Sequence, residues 1–293
     1  MREDMMSWCR RTLSHAIVTM LALLTMAAPT PAAADWGDIR VPTDNPTRVF
    51  GGHAGGCIDG AATLPQDGGG YQVMRPSRNR FFGHPVLIAF VQDLAVQAGA
   101  LGTEGLLIGD LAQPRGGPMT SGHRSHQTGL DVDIWFRFAP PGSFSAAERE
   151  SESAIPMVLA DGSTTDPSVW TERHVALLRA AATDPRVDRI FVNPAIKRSL
   201  CASVEGERGW LARIRPWWGH DHHFHVRLTC RAGDGDCRDS PPVPDGDGCD
   251  ASLDWWFSAE ALEELRQSRA KPSKPITLDD LPAACRAVLS GGR

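Results

Sequence analysis

The chain has 293 residues, of which 42% are hydrophobic and 22% are charged, and its formal net charge is −5 at pH 7. These proportions are ordinary for a soluble globular protein with a sizeable core. Because the balance is acidic and no basic block follows the N-terminal region, we expect no nucleic acid or other polyanion as a partner.

The N-terminal residues have the pattern of a secretory signal peptide. Arg10 and Arg11 form a basic region, residues 16–28 are an apolar run, and three consecutive alanines end at Ala34. A bilayer crossing takes about 18–20 apolar residues, so we expect no stable membrane insertion. The pattern predicts a signal peptide over residues 1–34, cleaved after Ala34, and a single exported domain over residues 35–293.

Cysteine usage agrees with export. Six cysteines follow the predicted signal peptide, and six cysteines in an exported chain imply disulfides. The absence of a Cys-x-x-Cys pair argues against a structural zinc cluster or a redox dithiol. A Cys230–Cys237 bridge would close a short turn-rich loop, and a Cys57–Cys285 bridge would remove the most unfolded-state entropy, ~4–5 kcal/mol. The other two cysteines are Cys201 and Cys249.

The first predicted elements lead up to a strand with two different faces. Alternate residues from Leu130 to Phe138 are apolar, whereas Asp131, Asp133 and Trp135 share the opposite face with Arg137. We therefore expect this strand to carry carboxylates into a cleft, with Trp135 lining it. Before it, we predict an irregular, disulfide-tied segment over residues 35–80, a helix over 85–98, and a short strand over 106–111 that ends at a proline–glycine cluster.

The second half of the chain adds helices and a second strand with site residues. In residues 223–228 the period of two places His223 and His225 on one face. The pattern predicts an α+β fold, in which an antiparallel sheet with flanking helices forms a cleft. The remaining predicted elements are a polar connection over 140–168, helices over 171–183, 194–201 and 258–269, a strand over 189–193, and a last helical segment holding Cys285.

Six of the ten histidines lie in two short clusters. His123 and His126 precede the Asp131–Asp133 strand, and the other four are His220, His222, His223 and His225. A catalytic zinc ion takes three protein ligands and leaves one position for water. His126, Asp133 and one of His223 or His225 would supply that set, and a neighbouring histidine would act as general base, since no His-Glu-x-x-His motif occurs.

Several assignments within and around the clusters stay open at this point. Asp131 competes with Asp133 as the carboxylate ligand, and His222 is expected to face away from His223. Trp217 and Trp218 fit either a substrate groove or the core. Arg115 and Arg227 fit either substrate carboxylates or internal salt bridges. No role is assigned to His53, His84 and His174.

The two clusters resemble a known family. The spacing of His126 and Asp133, followed far downstream by His223 and His225, is similar to the LAS group of zinc peptidases, which includes lysostaphin, D-alanyl-D-alanine peptidases and the hedgehog domain. The longer strings, SGHRSHQTGLDVDIW over residues 121–135 and WWGHDHHFHVRL over 217–228, resemble one branch, the penicillin-insensitive murein endopeptidases.

The resemblance implies a role for each residue. It implies one zinc ion on His126, Asp133 and His225, with His223 as general base, His220 assisting near the water and oxyanion, and His123 as a further active-site histidine. It implies hydrolysis of the D-alanyl to meso-diaminopimelyl cross-link between peptidoglycan peptide stems, in the periplasm. It also implies the disulfides Cys57–Cys285, Cys201–Cys249 and Cys230–Cys237.

Three other functions compete with this hypothesis. A carboxypeptidase or dipeptidase of the same group would trim stems that are not cross-linked. A non-haem iron oxygenase also uses two histidines and a carboxylate, although an exported, disulfide-rich chain is unusual for that class. The hedgehog domain illustrates a binding module on a similar scaffold, but the additional histidines favour chemistry.

Overall fold

The structure is a computed structural model that describes residues 35–120, 123–234, 236–271 and 274–291. The predicted signal peptide lies outside these residues, so its cleavage stays a prediction. None of the helices in the described ranges has the length and apolar character that a bilayer crossing requires.

The described chain contains both strands and helices, which confirms the predicted mixture of the two. The strands are β1 (Arg48–Gly52), β2 (Gly55–Asp59), β3 (Ala62–Thr63), β4 (Asp67–Gly68), β5 (Tyr71–Val73), β6 (Phe82–Gly83), β7 (Leu106–Ile108), β8 (Asp131–Trp135), β9 (Val187–Val192), β10 (Ile214–Pro216) and β11 (His223–Leu228). The α-helices are α1 (Pro85–Ala100), α2 (Ala146–Ser151), α3 (Glu172–Thr183), α4 (Pro194–Ser203), α5 (Ala251–Asp254), α6 (Ala259–Ala270) and α7 (Ala284–Ser290).

Seven strands form one mixed sheet in the order β10-β9-β11-β8-β7-β5-β4. The central strands β9, β11, β8 and β7 are antiparallel, as predicted, but β10 pairs with β9 and β5 pairs with β7 in parallel. The prediction of a purely antiparallel sheet is therefore wrong for these two pairs. Helix α4 connects β9 to β10 and helix α1 lies between β5 and β7, and parallel neighbours need such a crossover.

The segment over residues 35–80 is more regular than predicted. It contains the antiparallel hairpin β1–β2, in which Arg48 pairs with Asp59, and three further short strands. At two glycines of this hairpin a side chain would collide: a Cβ on Gly51 would lie 2.3 Å from the carbonyl oxygen of Gly55, and a Cβ on Gly56 would lie 2.3 Å from that of Phe50. A glycine-rich composition suggested irregular chain, whereas here it permits close strand pairing.

The apolar face of the central strands packs into the core, as the alternation predicted. Val132 and Ile134 of β8, together with Phe224 and Val226 of β11, are fully buried in the main core cluster, which includes residues of α1 and α3.

Residues 140–168, predicted as a polar connection, also contain α2. A capping box stabilises the N-terminus of α2: the side chain of Ser145 accepts a hydrogen bond from the backbone N–H of Glu148, and the side chain of Glu148 accepts one from the backbone N–H of Ser145.

Three disulfides hold the peripheral segments. They join Cys57 to Cys285, Cys201 to Cys249, and Cys230 to Cys237, which confirms the pairing that the family resemblance implied. The first bridge connects β2 to the C-terminal helix α7, and the second connects α4 to the loop before α5. The long N-terminal and C-terminal segments are thereby fixed to the body that carries the site.

Opening the Cys57–Cys285 bridge should destabilise the fold more than opening Cys230–Cys237. The two bridges have sequence separations of 228 and 7 residues, so loop entropy predicts losses of about 5 and about 2.5 kcal/mol, respectively. We expect this difference in the free energies of unfolding of the two Cys→Ser double variants, measured by urea titration. Equal losses would contradict the entropic account.

Lys197 should make the stability of the fold depend on pH. Its fully buried ammonium group donates to the carbonyl oxygens of Leu211 (2.7 Å) and Asp247 (2.5 Å). Burial, followed by the charge of Arg215, lowers the pKa of Lys197 to about 7. Because the unfolded chain keeps this proton up to pH ~10.4, the free energy of unfolding should rise between pH ~7 and ~10, by up to ~1.4 kcal/mol per pH unit.

The matched variant for this prediction is Lys197→Met, which removes the titrating group. Urea titrations across pH 6–10 should show the rise in the parent protein and a flatter profile in the variant. Identical profiles would mean that Lys197 keeps its proton in the folded state.

Candidate metal centre

Strand register brings the two histidine clusters together. In the antiparallel pairing of β8 with β11, Asp133 lies opposite His225 and Trp135 lies opposite His223. The loop before β8 adds His126, whose ring centroid lies 4.6 Å from that of His225. The turn before β11 adds His220, whose ring centroid lies 4.9 Å from that of His223. Clusters that are distant in sequence thus form one site.

Two of these histidines have unusual backbone conformations. His126 has φ 66° and His220 has φ 52°, in the left-handed region that side chains other than glycine rarely adopt. Such conformations cost ~1–3 kcal/mol and occur often at functional sites. At His126 the conformation is held by a hydrogen bond, because its backbone N–H donates to Oδ2 of Asp131 over 3.0 Å.

Ring nitrogens converge on the carboxylate of Asp133. Its Oδ1 lies 3.2 Å from Nδ1 of His225, 3.4 Å from Nε2 of His126 and 3.6 Å from Nε2 of His223. This Oδ1 and both ring nitrogens of His126 are buried and make no hydrogen bond. Buried polar atoms without partners are costly, and an ion held between Nε2 of His126 and Oδ1 of Asp133 would give both of these atoms a partner. The donor set therefore fits a metal ion such as zinc.

Two histidines are candidates for the third ligand. Ligand atoms of His123, His126 and Asp133 all lie within 4.8 Å of one another, whereas the family resemblance implied His225 in place of His123. The Nε2 of His123 lies 3.1 Å from Oδ2 of Asp110. A carboxylate can only accept, so this nitrogen carries a proton and has no lone pair for a metal ion.

The carboxylates of the site are held in their charged form. Burial acts to raise the pKa of Asp133, but His223, His126 and His225 outweigh it, so this pKa lies well below its usual range. Burial likewise opposes the ionisation of Asp131, and Arg227 is the strongest of the groups that hold its pKa well below its usual range.

The histidines differ in their charge state. Burial would lower the pKa of His225, but the carboxylates of Asp131 and Asp133 raise it to about 9. At His223 burial prevails and lowers the pKa to about 3, and at His220 it lowers the pKa to about 4. Burial also lowers the pKa of His126. His220 and His223 are therefore neutral at pH 7, and each ring has one nitrogen that carries no proton.

Asp110, which follows β7, is a site residue that the sequence did not indicate. Besides His123, it accepts hydrogen bonds from Arg78 (3.1 Å) and Arg80 (2.9 Å). Burial opposes its ionisation, but His123 and the arginines lower its pKa. In return, Asp110 and Asp133 outweigh the effect of burial on His123 and raise the pKa of its imidazole. The only available signal was a charged residue inside the otherwise apolar strand predicted over residues 106–111.

Asp131 lies behind the site instead of in it. Its Oδ1 is 3.1 Å from Nε2 of His225 and 2.9 Å from Nε of Arg227, and its Oδ2 is 3.3 Å from Nδ1 of His53. It thus supports His225 on the side opposite to Asp133. His53, to which the sequence assigned no role, is nearly fully buried against this carboxylate, and nothing in its glycine-rich surroundings indicated this contact.

The position of His222 differs from the expectation. It was predicted to face away from His223, but the two rings stack with centroids 4.7 Å apart and their Nδ1 atoms form a 2.7 Å hydrogen bond. His222 precedes β11, so the strand alternation does not apply to it. Both histidines line the same cavity.

Two cavities, both lined in part by His123, flank the cluster. One, of about 280 Å³, is bounded by Asp133, His223 and Trp135, which confirms the cleft position predicted for Trp135. The other, of about 490 Å³, is lined by both Trp217 and Trp218. The tryptophan pair therefore forms a groove wall.

Arg115 and Arg227, which also fitted substrate binding, are paired within the protein. Arg115 donates to the carbonyl oxygens of Val288 and Leu289, and Arg227 donates to Asp131. Both arginines therefore have internal partners, and the salt-bridge interpretation holds for Arg227.

A buried carboxylate surrounded by imidazole nitrogens, beside an open cleft, is the type of site that metal-dependent hydrolases use. Comparison with known proteins agrees with this class. A family model described as penicillin-insensitive murein endopeptidase matches residues 49–290. Proteins of that name from Yersinia enterocolitica (43% identical over 93% of this chain and 96% of the relative) and Klebsiella pneumoniae (41%, over 94% and 98%) are similar to it.

A protein of the same name from Salmonella heidelberg is 43% identical over 92% of this chain and 97% of the relative. The chain therefore belongs to the penicillin-insensitive murein endopeptidase family, as its histidine motifs predicted. This is a family of peptidases.

Proposed function

We propose that this protein is a periplasmic, zinc-dependent endopeptidase that hydrolyses the D-alanyl to meso-diaminopimelyl amide in peptidoglycan cross-links. The observation that carries the proposal is the convergence of unpaired, buried nitrogen and oxygen atoms around Asp133, next to a cleft. Membership of a family whose members are named murein endopeptidases supports the substrate class. The three disulfides and the predicted signal peptide support export.

His126, Asp133 and His225 are the proposed zinc ligands. His126 would bind through Nε2 and His225 through Nδ1, since these atoms face Asp133. Nε2 of His225 faces Asp131, and a carboxylate behind a ligating imidazole orients the ring and increases its basicity. A zinc ion held by these residues would lower the pKa of water towards ~7 and would polarise the substrate carbonyl.

His223 is the proposed general base. It is neutral, and its Nε2 faces Asp133, so it can take a proton from the attacking water and pass it to the leaving amine. Only one of the two hydrogen-bonded Nδ1 atoms of His222 and His223 can carry the shared proton. For Nε2 of His223 to be free, His223 must donate this proton to His222. His222 thereby selects the tautomer that the base needs.

His220 assists at the water in this proposal. Its Nδ1 lies 3.0 Å from the carbonyl oxygen of Trp218, and a carbonyl only accepts, so Nδ1 carries the proton of the neutral ring. Its Nε2 is then an acceptor, which suits contact with water better than with an oxyanion. His123, whose pKa is raised by Asp110 and Asp133 and whose ring is held by Asp110, is better placed to stabilise the developing negative charge.

Digestion of purified cross-linked muropeptide dimers tests the proposal. With zinc we expect conversion to monomers that keep their terminal D-alanine, read by mass spectrometry. A chelator should stop the reaction, and added zinc should restore it. Release of terminal D-alanine without monomer formation would favour the carboxypeptidase alternative. Full activity after complete metal removal would refute zinc dependence, and iron in the purified protein would favour the oxygenase.

A further inference from the structure

Arg75 has a guanidinium group without a partner at the edge of the site. It lines the 280 Å³ cavity that Asp133, His123 and His223 also line. Its Nε is buried and makes no hydrogen bond, and no hydrogen bond or ion pair connects its guanidinium to any described residue. Its Cζ lies 5.9 Å from the ring centroid of Trp135. Stacking of this kind leaves the N–H groups free to donate.

The arginines around Arg75 are paired. Arg78 and Arg80 both donate to Asp110, so the charge of that carboxylate is balanced. Arg137, which stacks over Phe144 at 5.0 Å, donates to Glu152 over 2.6 Å. Arg78, Arg80 and Arg137 thus each donate to a carboxylate, whereas the stacked Arg75 has no carboxylate partner in the described part of the chain and lines a cavity.

The backbone of Arg75 adds a second, independent observation. It has φ 53° and ψ 52°, in the left-handed region, and the next residue is Pro76. A proline restricts the residue before it to extended conformations, so this position is unfavourable on both counts. Glycine would adopt it without strain. A strained arginine in a functional cleft indicates that its side chain has a use that outweighs the strain.

We propose that Arg75 binds a free carboxylate on the substrate residue that supplies the scissile nitrogen. The inference rests on the proposed function, because in that cross-link the carbon bearing the scissile nitrogen also bears a free carboxylate. The cavity shares Asp133 and His223 with the centre, so a carboxylate next to the scissile amide is close enough to reach it. A guanidinium binds carboxylate with two parallel hydrogen bonds and thereby fixes its orientation.

Two variants separate binding from folding. Arg75→Gly removes the guanidinium and relieves the backbone strain, so its thermal midpoint should equal or exceed that of the parent protein. Arg75→Lys keeps the charge but loses the two-pronged geometry. The matched control is Arg137→Gln, which removes the same charge from a stacked arginine that does not line the cavity.

The substrates are a cross-linked peptide with the free carboxylate and the same peptide with a carboxamide there. The zinc-loaded parent protein should prefer the acid by ~10- to 100-fold in kcat/KM. Arg75→Gly should lose this preference, mainly through KM, Arg75→Lys should keep part of it, and Arg137→Gln should keep all of it. A full preference in Arg75→Gly, or none in the parent protein, would overturn the inference.

Binding without turnover separates this inference from the proposed function. Calorimetry with the amine product, as acid and as carboxamide, should show ~10- to 100-fold tighter binding of the acid by the parent protein and equal binding by Arg75→Gly. If the parent protein cleaves neither peptide, the proposed function fails, and the calorimetric difference still decides the role of Arg75. If it cleaves and binds acid and amide equally, the function holds and the role of Arg75 is wrong.

Discussion

Asp133→Asn should release the metal ion and lower the hydrolysis rate by on the order of 10³-fold or more, since the water would lose its activation. The carboxylate of Asp133 is the point on which the ring nitrogens of His126, His223 and His225 converge. An amide of the same shape cannot supply the negative charge. Metal content by elemental analysis and cleavage of cross-linked dimers measure the two effects.

Asp131→Asn is the matched control for this experiment, because it makes the same chemical change two residues away on the same strand face. Asp131 contacts Arg227 and His225 from behind the site. Leaving Arg227 without its buried partner should cost ~3–5 kcal/mol of folding stability, and metal affinity should fall by only ~10- to 100-fold. An Asp133→Asn protein with full metal content would show that the wrong carboxylate was chosen.

His223→Ala should keep the metal ion but lose ~10²- to 10⁴-fold in kcat, the usual contribution of a general base. The zinc ligands proposed here do not include His223, so its removal separates binding of the metal from catalysis. The measurements are metal content and turnover on cross-linked dimers. Unchanged turnover would rule out His223 as the base, and loss of metal would make it a ligand.

His222→Ala tests the tautomer argument at the neighbouring position. Without the Nδ1 contact, His223 no longer has a fixed proton position, and we expect a smaller loss in kcat, ~10- to 100-fold. The metal content should not change. A loss as large as that of His223→Ala would indicate that His222 itself contacts the reacting atoms.

Much of the site could be predicted because strand periodicity is a local property. The alternation in residues 130–138 and 223–228 assigned Asp131 and Asp133, and likewise His223 and His225, to the strand face opposite the apolar residues before any partner was known. The register then placed Asp133 opposite His225. Even there, periodicity could not distinguish Asp131 from Asp133, since both share one face and only their neighbours differ.

The unpredicted parts all depend on contacts between distant segments. Asp110 and His53 join the site from β7 and from the β1–β2 turn, and neither has a local pattern that indicates this. The parallel pairs at the sheet's outer positions depend on helical crossovers, and the position of His222 depends on a turn that strand periodicity does not describe. The charge states of His220 and His223 depend on burial, which composition alone does not determine.

The sequence by itself determined the family, the longer helices and the faces of the two site-bearing strands, because these depend on residue type and local spacing. The tertiary structure decided which atoms meet: Asp133 at the centre, Asp131 behind His225, His222 against His223, and Arg75 without a partner beside the cleft. These distinctions depend on distances of a few ångströms between segments far apart in the chain, and only the packed sheet sets such distances.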